Sequence, residues 1–178
     1  MRNEVMGSFL AVALAGAGAQ ASAAPPDKGK AGPDFLEDAT QVVTAFKAKI
    51  KAPFLITELS ISEKSASIEV QDPRQKDTYD KYNYLKGGAV SDGEPVQVFT
   101  VTCKKGFSID EADFTAVPTM IKDAAARLNL EDAEVKNLNL SRGVFCKEPR
   151  WVVFVDGKRK DGMVEYDPKG KFRNSKIM

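Results

Sequence analysis

Apolar residues recur along this chain with two periods, and the alternation between them lays out its elements. Phe35, Ala39, Val42, Val43, Phe46 and Ile50 fall at helical spacing and form one stripe, with Asp34 placed to cap the start and Pro53 to end it. Period-two segments follow at 54–61 and 65–71, separated by Ser62-Glu63-Lys64. In the second, Ala66, Ile68 and Val70 share a face and Ser67, Glu69 and Gln71 the other. A third strand is predicted over 79–85, closed by Gly87-Gly88, and a fourth over 95–102, where Val96 and Val98 alternate against Phe99 and Val101.

The same order then returns. Ser108-Ile109-Asp110-Glu111 spells a capping box, and Phe114, Val117, Ile121, Ala125 and Leu128 form a second helical stripe with Pro118 tolerated in its first turn. Strands are predicted over 135–141, 151–155 and from Val164 to Tyr166, and residues 169–176 read as a basic tail. Asp113 to Thr119 aligns with Asp38 to Thr44, and Val135 to Ser141 with Ile56 to Ser62. The fold class expected is α+β: two α-β-β-β modules, over 34–103 and 104–178, each a helix on an antiparallel meander.

Ahead of the first helix, Phe9 to Ala19 (FLAVALAGAGA) is an uncharged run too short to span a bilayer. Arg2 precedes it, and Ala21-Ser22-Ala23 offers a small-x-small cleavage site. Residues 1–23 thus read as a signal peptide cut after Ala23, and 24–33 as a flexible spacer. The expected location is the periplasm or the exterior, with no integral membrane span.

Composition narrows the chemistry. The 26 basic and 25 acidic residues leave a net charge of +1, which gives no field for gripping nucleic acid. The absence of histidine removes His-dependent triads and His-ligated metals. No catalytic set, cofactor or metal site is predicted, since Arg74 and Lys76 interrupt the carboxylates Asp72, Asp77 and Asp80. Two cysteines in an exported chain favour a Cys103–Cys146 disulfide, worth about 4 kcal/mol in the chain-entropy model. A reactive thiol lowered by Lys104, Lys105 or Lys147 is the alternative.

Three groups are candidates for contact with a partner protein. In 151–155 both faces are apolar, so Trp151 with Val153 and Val155, or Val152 with Phe154, must be buried between modules or meet a partner. Tyr79, Tyr82 and Tyr84 suit half-buried sheet positions and interfaces alike. Lys158, Arg159 and Lys160, at a hairpin tip, either steer an acidic partner or are simply solvated.

From Asp34 to Phe172 the element order resembles exported helix-plus-meander proteins: the β-lactamase inhibitory protein family in tandem, and BamE-type envelope assembly lipoproteins and PepSY modules as single units. This chain departs from the first in lacking a second helix per unit and in its two rather than four cysteines, and from BamE in lacking a lipidation cysteine. The resemblance implies binding of other proteins rather than catalysis. The function expected is therefore an exported, non-catalytic protein-binding module of inhibitor or immunity type. The alternatives are an envelope assembly or structural factor and, third, a carboxylate-based hydrolase.

Overall fold

A computed structural model describes residues 34–178, apart from 52, 73, 76, 86, 97–102 and 104. The signal peptide, its cleavage site, the spacer and most of the strand expected over 95–102 lie outside the described residues.

The first stripe becomes helix α1, Ala39–Ile50, which buries Ala39, Val42, Val43 and Phe46. Asp34 caps the turn before it instead of the helix itself, accepting the Leu36 N–H at 2.9 Å. The helix stops before Pro53 because Lys51 turns left-handed, at φ 61°, and returns its N–H to the Lys47 carbonyl. Helix α2, Val117–Leu128, is rotated from the phase its stripe predicts: Met120 and Ala124 are fully buried, whereas Ile121 and Ala125 are only partly so. The reason lies just upstream. Phe114–Ala116 winds as a 3₁₀ turn, capped by Asp113 through the Thr115 N–H at 2.9 Å, so a period of 3.6 counted from Phe114 arrives out of phase.

The strands are β1 (Leu55–Ser62), β2 (Ala66–Gln71), β3 (Tyr79–Tyr84), β4 (Glu94–Val96), β5 (Phe107–Ser108), β6 (Glu134–Ser141), β7 (Arg150–Asp156), β8 (Gly162–Tyr166) and β9 (Phe172–Ile177). They form one nine-stranded sheet in the order β4-β3-β2-β1-β6-β7-β8-β9, with β5 also pairing β1. Every pairing is antiparallel. The fold is thus α+β, with two α-helices and one continuous sheet among the described residues. The two halves meet strand to strand: Leu59 lies opposite Leu140 and Ile61 opposite Leu138.

One core runs under both helices. Ile56, Leu59, Ile61, Ile68, Leu138, Leu140, Trp151, Val153, Val155 and Val164 are all fully buried on the same face. Each such side chain is worth about 1.5–3 kcal/mol on leaving water. Helix α2 packs on β6, β7, β8 and β9, while α1 lies against β3. The capping box also forms, opening a 3₁₀ turn over Ile109–Glu111. The Cys103–Cys146 disulfide is present, with Cα atoms 4.9 Å apart, so the thiol alternative falls.

Candidate protein-interaction surface

The helix-facing residues of each strand alternate with a second set on the opposite side of the sheet. There, Val152 sits between Asn139 and Glu165, and Phe154 between Asn137 and Met163. Val152, Phe154 and Met163 are only partly buried, which leaves an apolar group on an otherwise polar face. The Arg150–Glu165 ion pair borders it, with Nε and Oε2 3.5 Å apart. The Oδ1 atoms of Asn137 and Asn139 are shielded and have no hydrogen-bond donor among the described residues.

Toward β1 this face becomes acidic. Asn139 donates from Nδ2 to Glu58 Oε1 at 2.8 Å, and Glu58 lies directly opposite Glu69 of β2. Burial, and then the charge of Glu58, raise the Glu69 carboxyl above its ordinary range. Lys81 and the Thr57 hydroxyl pull the other way without cancelling them. Nothing in the alternation of either strand marked this pair, because only the β1–β2 register brings the two carboxylates together.

The remaining candidates fall elsewhere. Trp151 is completely buried, edge-on to Phe114 at 5.3 Å, with its indole N–H donating to the Pro168 carbonyl at 3.3 Å, and so offers no surface to a partner. Tyr84 is a core residue in edge contact with Phe35 and Phe46, at 4.9 and 6.2 Å. Tyr79 is buried on the opposite side of its strand, and burial followed by the charge of Asp77 raises its phenol. Tyr82 is half-buried against the core. These placements correct the expectation for Trp151, Tyr79 and Tyr84: helix packing and burial consume the aromatic surface that made them candidates.

At the hairpin tip, Lys158 bonds Glu131 at 2.8 Å and reaches Asp132 at 3.8 Å, while Arg159 lies 4.0 Å from Glu131. The acids of the α2–β6 loop answer two of the three cations locally, and Lys160 remains exposed. Asp72 accepts the Arg74 N–H at 2.7 Å.

The residues read as a basic tail are a strand. The Asp167-Pro168-Lys169-Gly170 turn reverses the chain after β8, with Asp167 Oδ1 accepting from the N–H groups of Lys169 and Lys171 at 2.9 Å each and Gly170 at φ 83°. Beyond it β9 pairs with β8. The sequence does carry that turn signal, but the charges of 169–176 hide the alternation that follows.

No protein-family model matches the chain, and no curated protein matches it. Among solved structures, its fold is similar to the crystal structure of a "putative lipoprotein" from Clostridium difficile. The TM-score is 0.57 at 14% sequence identity, covering 83% of this chain and 94% of that one. A likeness at that identity defines a shared α+β architecture.

Proposed function

We propose that this chain is an exported, non-catalytic protein-binding module of inhibitor or immunity type, whose partner seats on the open face of the sheet around Val152, Phe154 and Met163. The carrying observation is that strand β7 is apolar on both sides while only one side lies under α2. Partly exposed apolar groups bordered by an ion pair and asparagines suit an interface with a small dry centre and a polar rim. On this reading residues 1–23 direct export, and 34–103 and 104–178 are two helix-plus-meander units joined edge to edge.

The test is affinity capture by the tagged mature protein from its native envelope. Phe154→Asp should abolish recovery of the partner while the circular dichroism spectrum and melting temperature stay within a few degrees of wild type. Undiminished capture by the folded variant would sink this reading. The lipoprotein neighbour favours a second reading, an envelope assembly or structural factor. The two separate on stoichiometry: an inhibitor recovers one cognate protein one-to-one, whereas an assembly factor fractionates with large envelope complexes.

A further inference from the structure

The two edges of the sheet are built differently. At one end, the described residues of β4 are Glu94–Val96 and include Pro95, which has no N–H to offer a further strand. At the other end, β9 runs for six residues with β8 on its inner side, and among the described residues nothing pairs with its outer side. Met178, the next residue, donates its N–H inward to the Asp161 carbonyl at 2.8 Å. Alternate residues of an antiparallel strand turn their N–H and C=O to the same neighbour. Lys176 therefore also faces β8, and Ser175 and Ile177 direct theirs outward. Such a row is a template for an added strand.

Charge decides what can add. Lys169, Lys171, Arg173 and Lys176 lie along this edge, and residues 168–178 contain no Asp or Glu; Arg173 is answered by Glu148 at 3.2 Å, which leaves the three lysines. A second copy pairing antiparallel through these outward groups, Ser175 opposite the copy's Ile177, would set Lys176 opposite the copy's Lys176. Like charges directly opposite one another are unfavourable. Edge lysines are a known protection against self-pairing, and the same charges admit a strand of opposite sign.

The side chains are partly preorganised as well. Phe172 is 37% exposed and Ile177 49% exposed, both in the row continuous with Tyr166 and Gly162. The Phe172 ring is held edge-on to Tyr166 at 6.3 Å, under the Arg127 guanidinium at 3.9 Å. An incoming strand can thus lay apolar residues beside Phe172 and Ile177 and carboxylates beside Lys171 and Lys176.

We propose that the outer edge of β9 binds an extended, acidic segment of a partner protein as an added β-strand, with apolar residues alternating with Asp or Glu. This rests on the protein-binding reading above and gives it a second contact, remote from Phe154.

The test uses the full mature chain and an end-blocked octapeptide of alternating valine and glutamate, with the valine–lysine counterpart as control. The expected result is saturable binding of the acidic peptide alone by calorimetry, with slowed hydrogen exchange at the Ser175 and Ile177 amides. Ser175→Pro removes one outward donor and should weaken binding about tenfold. A Lys171→Glu/Lys176→Glu double variant leaves the backbone intact and should exchange the preference toward the lysine peptide. The melting temperature and the near-ultraviolet signal of Trp151 report that each variant is folded. Absence of binding, equal binding of both peptides, protection confined to other strands, or a dimer in sedimentation that buries this edge would each overturn the proposal. Should the peptide fail while Phe154-dependent capture persists, only the edge assignment falls; loss of both removes the protein-binding reading too.

Discussion

Tyr166 fixes helix α2 to the sheet through one hydroxyl, which lies 2.8 Å from Asp123 Oδ2 and 3.1 Å from the Met120 carbonyl. Burial, and then the bond to Asp123, push its phenol far above the ordinary tyrosine range. For Asp123, burial alone would act upward, but the bonds from Arg127 and Tyr166 overcome it and hold the carboxyl below its usual value. A depressed carboxyl adds stability that is present above its unfolded pKa and lost as pH falls through the folded one. Tyr166→Phe should therefore cost about 1–3 kcal/mol at pH 7 by urea denaturation. It should also flatten the loss of stability on acidification below the ordinary aspartate range, and an unchanged acid limb would contradict the assignment.

Glu69 has the opposite sign. Its raised carboxyl keeps its proton longer in the folded state, so this group's contribution to stability falls as pH rises from the ordinary glutamate value through the raised one. Glu69→Gln should remove that fall, making the variant more stable than wild type at pH 7 relative to pH 4. A variant that loses stability over the same interval as wild type does would show that Glu58 and burial are not what perturb it.

At the scale of the elements, periodicity made both helices and most strands legible, and the failures have local causes. The 3₁₀ turn at Phe114–Ala116 reset the phase of α2, and four cations concealed β9. The turn into β9 depends on Gly170, whose φ of 83° is joined by crowding: a Cβ there would lie 2.6 Å from that of Ala116. Gly170→Ala is strained on both counts and should cost about 1–3 kcal/mol. Hydrogen exchange should accelerate in β9 ahead of β6 and β7. Uniform acceleration across all strands would mean instead that the turn is not a local determinant of the edge strand.

Over the whole molecule, the single covalent link ties the chain ahead of β5 to the β6–β7 loop. The cysteines are 43 residues apart, and the closed loop contains α2 and β6. In the chain-entropy model, replacing both with serine should cost about 4 kcal/mol, with secondary structure retained. That is a large share of a domain stability of about 5–15 kcal/mol. A melting temperature indifferent to the replacement would show that the denatured chain is already constrained at this loop.

The helix-and-strand order from α1 to β3 and from α2 to β8, the capping box, the two faces of the predicted strands and the pairing of the only two cysteines are written in the sequence, because each follows from neighbours along the chain or from a count. Which face of β7 meets a helix is not. Trp151 and Phe154 differ little as local signals, and only the seating of α2 buries the first and leaves the second partly exposed. The same holds for Glu58 opposite Glu69 and for the join of β1 to β6, since pairing between distant strands is fixed by the packing of the whole apolar set. The sequence alone determined which residues share a face in α1 and in the predicted strands; the tertiary structure decided the phase of α2, which face is interior and which edge is unpaired among the described residues, because burial depends on what the rest of the chain brings to it.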